Sequence, residues 1–386
     1  MTERQKNMTF FAMVLGIYAL MNFYVLRRGW QALAGTGTVR IIVLAAFLGL
    51  ASCMFVGRVI GARRPGSAAE FVTAVGYAYL GALTILLCLV AAVDLLRLVN
   101  FIVRIFPASF QAHRQLAGRV GFFAVAGIAA VLLVLGAVRA YQPRVRNCDL
   151  TIAKSAGSLT SLNCVVVSDL HFGPLIRSRY LEKIAGMVRA LAPDLILLPG
   201  DIMTEELPPA ELERIIALFR SMTSTYGSFA VTGNHETYGD LVKNVELFEK
   251  AGIRLLRDEA VDVAGSFIIA GRLVRDAVRR GEHRKPLAEI LAGADKRLPV
   301  ILMDHQPMDL FEAEEAGVDL QVSGHTHGGQ MFPFTFINKL IYEKDKGPYQ
   351  RGATHYDITE GAGFWGPPFR IGSRSEIVRI RLLFKN

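Results

Sequence analysis

Four stretches of this chain, residues 8–26, 41–57, 73–93 and 120–138, each run for about 17 to 21 residues with almost no charge. A helix rises about 1.5 Å per residue, so each stretch matches a hydrocarbon core about 30 Å thick. Helices in soluble cores are shorter and amphipathic. Residues 1–140 are therefore expected to form a module of four transmembrane helices. The first run is too long for a cleaved signal peptide, and no small-x-small site follows it. Arg27 and Arg28 come after that run rather than before it, which argues against a twin-arginine export signal.

Composition agrees with a chain partly in lipid: 52% of residues are apolar and mean hydropathy is +0.34. Of the 43 Lys and Arg, 13 lie in the first 140 residues, against 3 of the 34 acids. The basic balance thus belongs to the membrane module and gives no support to nucleic-acid binding. Four spans put the N-terminus and the following domain on one side. The loop cations split almost evenly between the two sides, so the positive-inside rule favours a cytoplasmic C-terminal domain by a narrow margin. Between the third and fourth runs, Phe101, Ile102, Ile105, Phe106 and Phe110 mix with arginines. That pattern suits either an interfacial helix on anionic lipid or a plain basic loop. The spans hold no series of ionisable residues that would suggest a transport path, so the module reads as an anchor. The four cysteines, Cys53, Cys88, Cys148 and Cys164, have no Cys-x-x-Cys spacing and read as free packing thiols.

After a proline-broken linker at 141–149, the pattern changes across residues 150–386. Short apolar runs at 162–167, 195–198, 229–232, 267–270, 300–303 and 320–323 read as strands. Between them, stretches such as 180–191 and 210–222 place apolar residues at helical spacing. Strands alternating with helices imply an α/β layered domain. Five of the runs end at polar clusters: Ser168-Asp169-Leu170-His171, Pro199-Gly200-Asp201, Gly233-Asn234-His235-Glu236, Asp304-His305 and Gly324-His325-Thr326-His327. One such cluster is explained by a helix cap or a turn. Five together, at the strand ends where α/β sheets bind ligands, indicate a site. Carboxylates, imidazoles and one amide, without thiolates, suit two divalent ions such as Mn, Fe or Zn. Two ions about 3.5–4 Å apart clamp a phosphoryl group and lower the pKa of a bridging water, so that hydroxide is present at neutral pH.

The order Asp-x-His, Gly-Asp, Gly-Asn-His-Glu, His, Gly-His-x-His resembles that of the calcineurin-like metallophosphoesterases, in a branch carrying several N-terminal transmembrane helices. The tail from Gly361 to Ile377, with Phe364, Trp365, Phe369 and Arg370, also resembles that branch. The resemblance implies a two-sheet sandwich flanked by helices. It implies that Asp169, His171, Asp201 and His327 bind one metal, and that Asp201, Asn234, His305 and His325 bind the second. His235 would then hold a phosphoryl oxygen or protonate the leaving alkoxide, with Glu236 positioning its neighbours. Two positions depart from the family pattern: Thr204 stands where an acid is frequent, and Asp304 precedes His305 where a smaller residue is common.

Two further features bear on the substrate. Arg272, Arg275, Arg279, Arg280, Arg284 and Lys285 read as a solvated loop or as a cationic flap on an anionic group, with Arg272 and Arg275 the candidate substrate-binding residues. Residues 331–337, rich in Phe, read as core or as an apolar rim against acyl chains. The expected protein is a membrane-anchored dinuclear-metal phosphoesterase in the cell membrane, in contact with membrane lipids. Its preferred substrate class is a lipid phosphoester or lipid-linked diphosphate. The alternative is a non-catalytic metal-binding scaffold or sensor that keeps the same fold.

Overall fold

A computed structural model describes residues 3–32, 37–64, 66–107, 113–205, 207–238 and 241–385. The chain divides into two compact units, Met1–Gly136 with Gly366–Pro368, and Ala137–Trp365 with Phe369–Asn386.

The first unit is built from helices α1 (Glu3–Ala32), α2 (Gly37–Arg63) and α3 (Ser67–Val103) and most of α4 (Arg114–Tyr141). Their apolar portions, 25, 27, 37 and 27 residues long, are each sufficient to cross a membrane. Glycines let α2 and α3 approach closely. A Cβ on Gly76 would collide with the Met54 backbone, and one on Gly57 with Thr73. Small residues at such crossings are how helices pack where lipid supplies no hydrophobic drive. Polar side chains add links: the Tyr18 hydroxyl donates to the Ala51 carbonyl at 2.8 Å, and the Tyr79 hydroxyl to Asn22 at 2.5 Å. Of the aromatic-basic stretch after the third run, residues 101–103 are the last turn of α3, and Phe110 lies outside the described residues.

The second unit holds two six-stranded sheets. Its strands are β1 (Arg144–Ile152), β2 (Ser161–Val166), β3 (Leu195–Pro199), β4 (Ser228–Val231), β5 (Arg254–Leu255) and β6 (Glu259–Val263). They continue with β7 (Phe267–Gly271), β8 (Val300–Met303), β9 (Leu320–Ser323), β10 (Gly347–Arg351), β11 (Thr354–Ile358) and β12 (Glu376–Phe384). One sheet runs β1-β12-β2-β3-β4-β5 and the other β10-β11-β9-β8-β7-β6. Helices α5 (Ser178–Ala190), α6 (Pro209–Arg220), α7 (Asn234–Tyr238) and α8 (Leu241–Lys250) fall between strands of the first sheet. Helices α9 (Leu287–Ile290), α10 (Phe311–Ala316) and α11 (Phe334–Ile341) fall between strands of the second.

Alternation along each strand builds the layers. Cys164 and Val166 of β2, Leu195 and Leu197 of β3, Ile301 and Met303 of β8 and Ile380 of β12 fill the space between the sheets. Val165, Ile196 and Leu198 face the other way and pack with Leu181, Ile184, Ile215 and Phe248 of the flanking helices. Val300, Leu302 and Ile268 likewise meet Leu287 and Ala313 on the outer face of the second sheet. Both faces of the central strands are buried, which is why they read as continuous apolar runs.

All six expected strands are present. The expected linker at 141–149 is not: residues from Arg144 onward form β1, paired in parallel with β12 from Arg144↔Glu376 to Ile152↔Phe384. Ion pairs hold this edge, with Arg146 contacting Asp357 at 2.7 Å and Glu376 at 3.0 Å.

Candidate metal centre

Parallel pairing of β2, β3 and β4, and of β8 and β9, sends five chain segments out of the same end of the sandwich. Three of them then turn sharply. Asp169, His171, Asp201, His325 and His327 all have φ between 50° and 71°. L-residues seldom occupy this left-handed region, and clusters of such strain mark functional sites. The turns are locked to one another: the His325 N–H donates to Asp169 Oδ1 and the His235 N–H to Asp201 Oδ1, both at 2.9 Å. Glycine is required where the loops meet. A Cβ on Gly324 would strike Ser168 and Asp169, and one on Gly233 would strike Asp201.

The side chains of all eight residues expected at the strand ends come together. His171 Nε2 lies 2.9 Å from His327 Nε2 and 3.8 Å from Asp201 Oδ2, and His327 Nε2 is 3.6 Å from Asp169 Oδ1. On the other side of Asp201, His305 Nε2 is 3.2 Å from Asp201 Oδ2 and 3.2 Å from Asn234 Oδ1. Asn234 Oδ1 is in turn 2.9 Å from His325 Nδ1. Three overlapping donor groups result: Asp169, His171 and His327; His171, Asp201 and His235; Asp201, His305 and His325. The His235 ring stands edge-on to His171 at 4.7 Å and meets the Trp365 ring at 5.5 Å.

These donors fit divalent cations. An ion with bonds of about 2.1 Å keeps neighbouring donors about 3.0–3.4 Å apart, close to the separations here. Asp169 Oδ2 is buried with no hydrogen-bond partner, a costly state for a carboxylate unless a cation satisfies it. Burial lowers the imidazole pKa of His171 to about 3 and of His325 to about 4, so both rings are neutral at pH 7, the state in which an imidazole can bind a cation. His305 is the exception. Burial opposes its charge, but Asp201 and Asp169 outweigh that effect and raise it to about 10.

The surrounding groups fix which nitrogen faces inward. His305 Nδ1 donates to the Pro199 carbonyl at 2.7 Å, and His171 Nδ1 contacts Thr204 Oγ1 at 2.8 Å. Thr204, the position that departs from the resembled pattern, therefore orients His171 with a hydroxyl in place of a carboxylate. Glu236 accepts four backbone N–H bonds, from Asp201, Ile202, Met203 and Gly233 at 2.6–3.0 Å, and clamps two of the loops together. Asp304, the second departure, is neutralised from behind by Arg284 at 2.5 Å and Arg272 at 3.4 Å.

That arrangement corrects one expectation. Arg272 is 5% exposed and also pairs with Glu312, while Arg275 pairs with Asp309 at 2.7 Å. Arg272 is thus committed to buried ion pairs that brace the loop carrying His305, which leaves the flap reading without it, whereas the Arg275–Asp309 pair lies at the surface. A residue named in the sequence only as part of the tail proves central. Arg370 is fully buried and donates to the carbonyls of His327 (3.1 Å) and Gly363 (2.6 Å), with His327 Nδ1 also at 3.1 Å. Its only sequence signal is a lone cation in an apolar, glycine- and proline-rich stretch.

The calcineurin-like phosphoesterase family matches residues 162–329, the segment that carries every one of these donors. An uncharacterized metallophosphoesterase from Aquifex aeolicus is 33% identical over 226 residues, covering 58% of this chain and 85% of the relative. The chain belongs to the calcineurin-like metallophosphoesterases. An uncharacterized metallophosphoesterase from Campylobacter jejuni is 33% identical over 242 residues, covering 62% of this chain and 63% of its own length. This member thus spans less than two thirds of that relative. A Bos taurus protein named as a transmembrane protein with a metallophosphoesterase domain is 29% identical over 362 residues, 88% of this chain and 80% of the relative. An alignment of that length takes in part of the apolar helices as well as the phosphoesterase domain.

Proposed function

We propose that the protein hydrolyses phosphoester or diphosphate bonds at a pair of divalent ions. One ion would be held by Asp169, His171, Asp201 and His327, the other by Asp201, Asn234, His305 and His325. The observation that carries this reading is the position of Asp201, whose Oδ2 lies between His305 Nε2 at 3.2 Å and His171 Nε2 at 3.8 Å. When bound, such ions polarise phosphoryl oxygens and lower the pKa of water enough to make it a nucleophile at neutral pH. The protein's own residues do the rest. Glu236 and the left-handed turns hold the ligands before substrate arrives, limiting reorganisation during the reaction. His235 has no metal-binding duty in this scheme and is the residue to hold a phosphoryl oxygen or protonate the leaving oxygen. Mn, Fe and Zn all suit the donor set.

The substrate class we propose is a lipid phosphoester or lipid-linked diphosphate. In α11, Phe334, Phe336, Ile337, Leu340 and Ile341 are all exposed, as are Phe332 before it and Trp365, whose ring contacts His235. A contiguous apolar surface beside a polar phosphate site suits a substrate with a hydrocarbon chain. We further propose that the four helices cross the cell membrane, with the catalytic domain on the cytoplasmic side. Purified full-length protein, assayed with Mn, Fe and Zn in turn, should cleave lipid phosphates faster than water-soluble nucleotides. Equal rates on both would remove the lipid assignment. No aryl phosphatase activity with any of the metals, or undiminished activity in Asp201→Asn, would remove the enzyme reading itself.

A further inference from the structure

Within the helical unit, α1, α2, α3 and α4 line a half-open cavity of about 280 Å³. Its walls are apolar, with Val25, Phe47, Val90, Phe122 and Val125 contributing. Gly118 and Gly121 open the α4 side, and a Cβ on either would meet nothing within 4 Å. Two cations border the same space. Arg28 and Arg97, 35% and 56% exposed at the side chain, share a single carboxylate, Asp94, at 2.7 and 3.1 Å. Tyr24 donates to that carboxylate as well, at 2.6 Å. Trp30 also lines the cavity and packs under the Arg40 guanidinium at 5.5 Å.

Two guanidiniums against one carboxylate leave a net positive charge at one end of an apolar hollow, near the end of α1 at Ala32. Cations near helix ends reach the lipid headgroup level, and basic pockets between membrane helices attract anionic headgroups. We propose that this cavity is a binding site for an anionic glycerophospholipid, with a segment of one acyl chain between α4 and the other helices and the phosphate against Arg28 and Arg97. Nothing in the phosphoesterase site takes part. The proposal depends on the helices lying in lipid and is independent of the catalytic reading.

Native mass spectrometry of the delipidated full-length protein, with phosphatidylglycerol or phosphatidylcholine added back, tests it. Wild type should retain one phosphatidylglycerol at least about tenfold more tightly than phosphatidylcholine. Gly121→Leu, which places a side chain in the cavity, should lose that retention. Gly127→Leu, on the same helix but not lining the cavity, should keep it. Arg97→Gln leaves the Arg28–Asp94 pair in place and should reduce the preference for phosphatidylglycerol. Equal retention of the two lipids by wild type, or unchanged phosphatidylglycerol retention in either Gly121→Leu or Arg97→Gln, would overturn the site.

Discussion

At the scale of single residues, the metal centre depends on protonation states set by burial. In the metal-free protein at pH 7, His171 and His325 are neutral, while His305 holds a proton against Asp201. Metal binding through His305, as proposed, would displace that proton, because a ligating imidazole is neutral. The sign follows: protons compete with metal, so apparent affinity should rise about tenfold per pH unit below pH 10. Below about 6, where Asp169 also takes up a proton because of its burial, the rise should be steeper. Calorimetry at pH 7 in buffers of different ionisation enthalpy should register about one proton released per protein, and none released would contradict the assignment. His235 makes a separate prediction. His235→Ala should cut turnover of an alkyl phosphate by about 10²–10⁴-fold, and cut that of an aryl phosphate with a good leaving group much less. Equal losses on both would assign His235 to phosphate binding rather than to proton donation.

At the scale of elements, the ligands depend on segments that hold no ligand. Arg370 fastens its own segment to His327 through a bond to the His327 carbonyl and a ring contact, and also donates to the Gly363 carbonyl within that segment. Arg370→Lys cannot reproduce that planar fork and should weaken metal affinity by about 10–100-fold, read by competition with a chromophoric chelator. The carbonyls around Arg370 would be under-satisfied as well, so the melting temperature should fall in the same variant. In the helical unit, Gly76→Val forces the α2–α3 crossing apart at Met54. Overpacking of this kind costs about 1–3 kcal/mol and should appear as a lower midpoint in detergent unfolding, with the metal site unaffected. An unchanged midpoint would mean that α2 and α3 do not pack through Gly76.

At the scale of the whole molecule, an apolar helical unit and a phosphoesterase domain occur in one chain, and they differ in how legible they were. The four helices follow from run length alone, since a charge-free stretch of that length has few other places to go. The five ligand loops follow from polar clusters placed after apolar runs. A protease-accessibility test on intact cells and on inverted vesicles should cleave within the catalytic domain only in the vesicles. Cleavage in intact cells would place that domain outside.

Most strands that escaped the sequence reading share a cause. β1, β5, β6 and β10 are sheet edges and β11 lies beside one, and their polar residues carry no continuous apolar signal. β12, by contrast, alternates Val, Arg, Ile, Arg, Leu, so its pattern was available. β1 in particular is held by Arg146 pairing with Asp357 and Glu376, more than 200 residues away. The same distinction holds within the site. Sequence by itself determined the candidate donor types and their places at strand ends, because local apolar runs and the polar residues after them are properties of neighbouring positions. Only the tertiary structure decided what stands behind the site residues: Thr204 behind His171, Arg370 behind His327, and Arg272 with Arg284 behind Asp304, the neighbour of His305. Those contacts join residues far apart in the chain, and a charged side chain looks the same in sequence whether it faces substrate or neutralises a buried carboxylate. Burial made that choice for Arg272. A buried charge must be paired where it lies, and its partners lie 32 and 40 residues along the chain.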